Sequence, residues 1–507
     1  MAAVAALATA CGSTVATSSA TTDGAAVDGG FAVPDGSAAP GQSLPGAAGG
    51  GGTGSTSVSG SVGDAGAGVG TTATPASGVP TVAPTALPRT SSGKVVISLG
   101  VVYLKGLDQA YKAAGASSST TDSQADYAAV IKALNARSGS RVELRPTYYA
   151  VDASSTTSQA DQVEAACQRF TADTHMDIVV SYSAGDDGAL ARCLQQHGVP
   201  LINGSVAATI GSSIEQAVPD LWAPSQLSLD RVGALEASYL IRNHWVDRRW
   251  SSAARCAAVK EPRIGVVTFD RADWRAAYTN ATAPAFKALG HPVYDVEFLA
   301  VSGSTAQQLA QASSGAQNAV LKFSSDCVDH VAFVGNVALD YLFMNVAQQQ
   351  GYNPRYGLSS LEAPPVIVQN LAQPTSQLHG AVGPGWSPYS DVNAAQMDAV
   401  AKASAAYCLG MLKHAGLAPS DNNSTVLALP SCEGPMFALT VFDQWIAGGR
   451  TGSLLDVVNG LGSGYRPAGS FASLIDAAHH DGASEFRGFA YVDGCTCFRY
   501  VTGLQRI

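Results

Sequence analysis

The chain has 507 residues, of which only 13% are charged, and its formal net charge at pH 7 is −10. An acidic chain without clusters of Lys and Arg is a poor electrostatic partner for nucleic acid, so we expect no nucleic acid partner. The sequence contains no uninterrupted apolar run of about 18 residues, so it predicts a soluble body without a membrane-spanning helix.

The N-terminal region has a different composition from the rest of the chain. Residues 12–93 are almost entirely Gly, Ala, Ser, Thr, Val and Pro, and no Lys or Arg precedes Arg89. Such a segment has too few large apolar side chains to offset the entropy lost on ordering, so we predict a disordered tether. The folding part is then residues 94–507, which is long enough for two or three domains.

A short apolar stretch precedes this tether. Residues 4–11 end in small residues and Cys11, and Gly12 and Ser13 follow. The stretch resembles the end of a bacterial lipoprotein signal, in which cleavage before the cysteine leaves a thiol that carries lipid. By that resemblance, residues 1–11 are a signal remnant and Cys11 is the lipidation site. A basic N-terminal segment is missing, the apolar stretch is short, and Ala8 stands where Leu is commoner. The alternative is an ordinary N-terminus with an incidental cysteine.

The first half of the body alternates apolar strands with amphipathic helices. The near-continuous apolar run at 94–103 is typical of a buried parallel strand. The predicted elements that follow it are a helix at 125–136, a strand at 142–152, a helix at 160–170, a strand at 177–182, a helix at 188–196 and a strand at 199–203.

The same alternation then restarts. The second series consists of a helix at 230–243, a strand at 263–270, a helix at 274–289, a strand at 293–298, a helix at 305–313, a strand at 330–335 and a helix at 337–350. Two such series predict two similar lobes, each with a helix-covered parallel sheet. The C-terminal part has predicted helices at 398–414 and 435–447 and strands at 489–492 and 498–501. It is too short for a third domain, so we expect it to cross between the lobes and complete them.

Apart from Cys11, all the cysteines lie in the folded body. Export of a lipid-anchored protein permits disulfides, and eight cysteines allow many connectivities. Proximity and element placement favour Cys167–Cys193, Cys256–Cys327 and Cys408–Cys432. The remaining Cys495 and Cys497 would pair locally, although residues i and i+2 of one strand point the same way. Because CxxC pairs are missing and the histidines are scattered, we expect no metal and no cofactor.

The body resembles the type I periplasmic binding fold, in particular the solute-binding lipoproteins of branched-chain-amino-acid-type ABC transporters. The resemblance covers nearly all of 94–507 and rests on element order and local signatures. These signatures are the opening strand at 97–101, Asp152 with the Ala-rich helix at 160–166, the segment DIVVSYSAG…ALA…GVPLING at 177–204, the strand at 263–270, Gly380 to Gly383, and 485–488. One departure is a longer Ser/Thr-rich loop at 103–123, in place of the family's Thr-Gly turn.

The resemblance implies two Rossmann-like α/β lobes joined by a multi-crossover hinge. Lobe 1 would comprise residues 94–221 and about 383–447, and lobe 2 residues 222–382 and about 448–507. A ligand between such lobes is held by helix N-termini, short polar side chains and an aromatic lid. Polar and aromatic residues after the carboxyl ends of strands, together with one glycine whose backbone N–H could hold a carboxylate, are therefore the candidate ligand contacts. They are Tyr103, Ser183, Gly185, Ser205, Trp274, Asn336 and Ser360.

Catalysis has little support in the sequence. Neither a GxSxG elbow nor a Walker phosphate loop occurs in it. His479, His480 and Asp481 are adjacent, but they fall in a polar segment that we predict to be an exposed loop. Asp186 and Asp187 are better interpreted as residues at a helix N-terminus.

The sequence therefore predicts a receptor anchored by lipid to the outer face of the bacterial cell membrane. It would capture a small polar solute, an amino acid or a related amide or acid, and by resemblance deliver it to ABC permease subunits. Its membrane contact would be through the lipid anchor only. A ligand-binding sensor on the same fold, without a transport role, is the alternative.

Overall fold

The computed structural model describes residues 88–106, 122–155, 157–182, 188–205, 210–250, 254–300, 306–369 and 374–507, with the side chains of 306–310 excepted. The predicted signal remnant with Cys11, and the predicted tether as far as residue 87, lie outside the described residues. All described residues belong to one compact unit of the chain.

The strands of the described residues are β1 Val95–Lys105, β2 Val142–Asp152, β3 Ile178–Ser181, β4 Leu201–Asn203, β5 Leu221–Trp222, β6 Ile264–Phe269, β7 Asp295–Leu299, β8 His330–Val334, β9 Arg355–Gly357, β10 Val382–Gly385, β11 Glu485–Val492, β12 Cys497–Tyr500 and β13 Gln505–Arg506.

The α-helices are α1 Ser123–Asn135, α2 Gln159–Gln168, α3 Ala189–Gln196, α4 Ser212–Ala217, α5 Leu229–Arg242, α6 Ala272–Ala277, α7 Ala283–Ala288, α8 Ala306–Ser325, α9 Val337–Gln349, α10 Pro364–Gln369, α11 Thr375–Leu378, α12 Pro388–Asp391, α13 Ala399–His414, α14 Asn422–Ala428, α15 Pro430–Ala447 and α16 Leu454–Asn459.

Two separate sheets confirm the predicted α/β fold with two lobes. The first sheet is entirely parallel in the order β2-β1-β3-β4-β5. The second has the order β12-β11-β10-β9-β8-β6-β7, with β13 paired to β11. In this second sheet β6 to β10 are parallel and β11 to β13 are antiparallel. Most residues of β1 and all of β6 and β8 are buried, because helices cover both faces of a parallel sheet.

The C-terminal helices return to the first sheet. α15 packs against α1, β2 and β3, and a Cβ on Gly434 would lie 2.8 Å from the Val180 side chain, so glycine permits this close approach. The helical stretch Asn422–Ala447 is long and apolar enough to cross a membrane by length and composition. However, 89% of its most apolar window is buried inside the protein, as is usual for a core helix.

Three connections link the lobes. The first crossover, residues 223–228, leaves β5 and enters α5. The second, residues 460–484, follows α16 and enters β11, and it pairs in parallel with the first through a bridge between Ala223 and Asp481. The third, residues 386–398, joins β10 to α13.

Several predicted element bounds differ from those of the structure. α8 and α15 are longer than predicted. α14 was not predicted, because its polar start, Asn-Asn-Ser-Thr, is typical of a loop in sequence. In the structure Asp421 caps that helix by accepting the Ser424 backbone N–H.

The four disulfides join the pairs that the sequence favours, Cys167–Cys193, Cys256–Cys327, Cys408–Cys432 and Cys495–Cys497. The objection to the last pair does not apply, because the two cysteines do not share a strand. Cys495 ends a short 3₁₀ turn, Thr496 has a positive φ of 49°, and Cys497 begins β12.

Candidate functional site

Tyr103 lies near the end of β1, at the carboxyl edge where open α/β sheets bind ligands. Its ring is half-buried and makes an edge contact with Tyr148 of the adjacent strand, with ring centroids 6.2 Å apart. The phenol donates a hydrogen bond to Gln124 Oε1 in the first turn of α1, at 2.8 Å. Burial, and then the negative charge of Asp122, raise the pKa of Tyr103, so the phenol stays protonated and can donate.

An ionised carboxylate stands at the same edge. Asp152, the last residue of β2, accepts hydrogen bonds from the Ser154 hydroxyl at 2.6 Å and the Ser154 backbone N–H at 2.9 Å. The hydroxyl bond is the main reason that the pKa of Asp152 lies below its usual value. Gly106 begins the adjoining loop with φ +74°, and a Cβ there would lie only 2.6 Å from Asp152 Oδ1. Glycine therefore lets the chain turn closely over this carboxylate.

The ends of β3 and β4 lie next along this edge. Ser205 is buried, its N–H donates to Asn203 Oδ1 at 3.2 Å, and its carbonyl accepts from Gln226 Nε2 at 2.6 Å. Ser205 is thus connected directly to the first crossover. Ser183 and Gly185, the candidates after β3, lie outside the described residues, as does most of the Ser/Thr-rich loop after β1.

In the second lobe, Trp274 lies in α6 just after β6. Its side chain is buried and packs edge-on against Phe269, with ring centroids 5.0 Å apart. Within the described part of the chain the indole Nε1 has no hydrogen-bond partner. Trp274 therefore packs on its own lobe, and its role as a cleft aromatic stays a prediction.

The other two candidates of this lobe have structural partners. Asn336 is half-buried and caps α9, because its Oδ1 accepts the Ala338 N–H at 3.0 Å. Ser360 is fully buried. Its hydroxyl donates to Asp391 Oδ1 at 2.6 Å and accepts the backbone N–H groups of Trp386 and Ser387, at 2.8 and 3.1 Å. The Ser360 hydroxyl thus forms its hydrogen bonds with residues of the third crossover. Ligand contact by Asn336 or by Ser360 stays a prediction.

Three buried carboxyl groups lie close together behind the carboxyl ends of the strands in the second sheet, the second edge. Glu236 of α5, Asp340 of α9 and Glu362 are all fully buried, and among the described residues neither oxygen of Glu236 has a hydrogen-bond donor. Glu362 accepts from the N–H of Gly335 at 3.1 Å and from Ser359. Burial raises the pKa of Glu362 to about 8, and burial together with the neighbouring carboxyl groups raises the pKa values of Glu236 and Asp340 well above their usual range. Burial therefore favours the protonated form of each of these carboxyl groups.

The segment predicted as an exposed loop is partly buried. Asp481 forms a 2.7 Å ion pair with Arg231 of α5 and is only 2% exposed. His479 contacts Asp476 at 2.9 Å, and burial lowers the pKa of His480. The prediction of exposure was wrong for Asp481, because pairing with the first crossover draws this segment inward. Within the part of the chain that the structure describes, no group of three or more His, Cys, Asp or Glu residues could hold a metal ion.

Sequence reasoning missed six buried polar residues that lie at the crossovers or behind the strand ends of the second sheet. They are Gln226, Glu236, Asp340, Glu362, Asp391 and Glu433. A signal was available for Glu236, Asp340 and Glu433, because each is a carboxylate on the apolar face of a helix, where acidic residues are rare unless they have a specific partner.

No family model matches the chain, and no curated protein matches it either. Solved structures do. An ABC transporter substrate-binding protein from Desulfitobacterium hafniense, in complex with Leu, matches with a TM-score of 0.52 at 12% identity, over 80% of this chain and 100% of that one.

Two solute-binding proteins of ABC transporters from Rhodopseudomonas palustris match with a TM-score of 0.55 each. The one from strain BisB5, in complex with 3,4-dihydroxybenzoic acid, is 13% identical, and the one from strain HaA2, in complex with p-hydroxybenzoic acid, is 14% identical. Each match covers 81% of this chain and 97% of the other. At such identities the likeness establishes the fold, which is the type I periplasmic binding fold.

Proposed function

We propose, from the premise that this chain has the type I periplasmic binding fold, that it is a lipid-anchored extracytoplasmic solute-binding protein. It captures a small polar molecule between its two lobes and delivers it to an ABC importer in the membrane. The observation that carries the proposal is the architecture. A parallel sheet and a mostly parallel mixed sheet, joined by three crossovers, match almost the entire length of solute-binding proteins of ABC transporters.

The first sheet edge supports a ligand with an amino acid or small acid character. Tyr103 and Gln124 offer a phenol and an amide, and Asp152 offers a carboxylate for a cationic group. The aromatic rings of Tyr103 and Tyr148 suit a flat or apolar part of the same molecule. The similar solved proteins bind leucine and hydroxylated benzoic acids, and both classes combine a carboxylate with an apolar part.

Ligand-dependent thermal unfolding of the full chain tests the proposal. The panel contains leucine, valine, glutamine, benzoate, 4-hydroxybenzoate and 3,4-dihydroxybenzoate. A ligand at about 100 times its dissociation constant stabilises the folded state by about 2.7 kcal/mol, so the midpoint should rise by several degrees. Tyr103→Phe should weaken that shift, whereas Tyr294→Phe, an exposed tyrosine next to β7, should leave it unchanged. A folded protein that shows no shift with any of these compounds would contradict the binding of amino acids and aromatic acids of this kind.

The lipid anchor has its own test. Expressed in a bacterium, the full chain should partition into detergent, and Cys11→Ser should move it to the aqueous phase. Partition that does not depend on Cys11 would contradict lipidation at this residue.

A further inference from the structure

The first two crossovers are bonded to each other, residues 223–226 of the first to residues 480–483 of the second. The Ala223 N–H donates to the His480 carbonyl at 2.8 Å, the Gly482 N–H donates to Ala223 at 2.9 Å, and the Ala483 N–H donates to Gln226 at 2.9 Å. Parallel backbone pairing of this kind couples the two segments, so they must bend together when the lobes move.

A buried carboxylate of lobe 1 holds both of these crossovers. Glu433 of α15 is fully buried, and its Oε2 accepts the Ser225 hydroxyl at 2.5 Å and the N–H groups of Ala468 and Gly469 at 2.6 and 2.9 Å. Its Oε1 accepts the Tyr465 hydroxyl at 2.7 Å. Four donors from two chain segments thus meet on one side chain of the first lobe.

A second carboxylate, Asp481, forms the corresponding contacts between the crossovers and lobe 2. Asp481, in the second crossover, accepts the Ser228 N–H at 2.6 Å and the Arg231 guanidinium at 2.7 Å. Arg231 also donates to the carbonyls of Asp481 and Ala483. Ser228 and Arg231 are the cap and the first turn of α5, which packs on the second sheet, so Asp481 fixes the second crossover to lobe 2.

We propose that Glu433 and Asp481 are positioning residues that mark the two ends of the hinge. In the first crossover they leave only Gln226 and Leu227 between Ser225, which is bonded to Glu433 of lobe 1, and Ser228, which is bonded to Asp481, so these two residues form the pivot of lobe rotation. The second crossover is held to lobe 1 at Ala468 and Gly469 through Glu433, and to lobe 2 at Asp481 through Arg231.

The pivot also reaches the first sheet edge. Gln226 Nε2 donates to the carbonyl of Ser205, which immediately precedes the segment at 206–209 and follows β4. A rotation at Gln226 therefore acts on the end of β4, where we expect the ligand to lie. The inference rests on the proposed function only in that solute capture requires the lobes to move.

Hydrogen–deuterium exchange of the full chain without ligand tests the inference. Glu433→Gln keeps the size of the side chain, but it replaces one acceptor oxygen by an NH₂ group. The variant should raise exchange about tenfold in peptides that span 223–228 and 465–470, since lost hydrogen bonds are worth about 1 kcal/mol each. Exchange in β1 and β6 should stay unchanged.

Asp443→Asn is the matched control, because Asp443 lies on the same helix but accepts the Arg141 N–H at 2.9 Å and the Ser140 hydroxyl at 3.3 Å within lobe 1. It should affect residues 140–142 and leave the crossovers unchanged. Small-angle X-ray scattering adds a readout that general destabilisation would not move. Glu433→Gln should broaden the distribution of interlobe distances, and Asp443→Asn should not.

Equal exchange in the crossovers of the two variants, or an unchanged distribution of interlobe distances, would overturn the inference. If Glu433→Gln does not fold, Ser225→Ala removes one donor only and should raise exchange in 223–228 by a smaller factor. These measurements require no solute, so the proposed function can fail while this inference stands, and the reverse is equally distinguishable.

Discussion

The ends of β1 and β2 and the carboxyl edge of the second sheet use polar residues in opposite ways. At the ends of β1 and β2, the first edge of this comparison, Tyr103, Gln124 and Asp152 are partly exposed. At the second edge Ser360 and Asp391 are fully buried and bonded to each other. The first edge therefore presents polar groups to solvent or ligand, whereas the second uses them to hold the third crossover on its sheet. A polar residue at the end of a strand is a better ligand candidate where it stays partly exposed than where it is buried in an internal hydrogen-bond network.

The largest expected difference between the edges is in the free energy of unfolding that is lost when one carboxylate is removed at each edge. Asp391→Ala leaves the hydroxyls of Ser360 and Tyr500 without their buried acceptor, which should lower the free energy of unfolding by about 2–4 kcal/mol. Asp152→Ala, at the partly exposed first edge, should cost less than about 1 kcal/mol. Urea unfolding of both variants measures the difference. Equal losses would contradict the distinction between the edges.

A dependence of stability on pH should follow from the second edge. Burial raises the pKa values of Glu362 and Asp391 to about 8, far above their values in the unfolded chain. The folded state thus binds these protons more tightly. The stability that they contribute is fully present below about pH 4 and is lost as the pH rises through about 8. The thermal midpoint should therefore fall by several degrees between about pH 5 and about pH 9.

Glu236→Gln should make this fall shallower, because it removes one of the buried acids that must ionise. Glu164→Gln, on the exposed side of α2, serves as the control and should retain the wild-type slope. A midpoint that is constant or rises over the same pH range would be incompatible with proton-loaded carboxyl groups in the second lobe.

The smallest expected difference in stability is between two variants that each remove one tyrosine hydroxyl, Tyr500→Phe at the second edge and Tyr103→Phe at the first. Tyr500→Phe removes the 2.8 Å hydrogen bond to buried Asp391 and should cost about 1–2 kcal/mol. Tyr103→Phe removes the 2.8 Å bond to exposed Gln124 and should cost about 0.5 kcal/mol or less. The two variants are compared by denaturant titration. A larger loss for Tyr103→Phe would reverse the assignment of which edge is structural.

Hydrophobic periodicity was sufficient to predict the sheets. β1, β6 and β8 are buried on both faces, so their sequences are nearly continuous apolar runs that are hard to mistake. Proximity along the chain was sufficient for disulfides such as Cys408–Cys432, which joins two neighbouring helices.

The candidate site was less accessible to such reasoning. The end of a strand can be located from sequence, and Tyr103 and Ser205 do lie at the carboxyl edge of the first sheet. Ser360 was chosen by the same rule, but its partner Asp391 is 31 residues away and belongs to the third crossover. The sequence does not state which polar groups meet over such separations.

The sequence alone determined the two-lobed α/β fold, because strand and helix periods are local properties that survive even where identity to known structures is 12–14%. Only the tertiary structure decided which polar residues serve the hinge. Glu433 meets Ser225 across 208 residues, and Asp481 meets Arg231 across 250. The role of a buried carboxylate depends on the hydrogen-bond donors that the folded chain brings to it. Because these donors are far away in sequence, hydrophobic periodicity does not predict them.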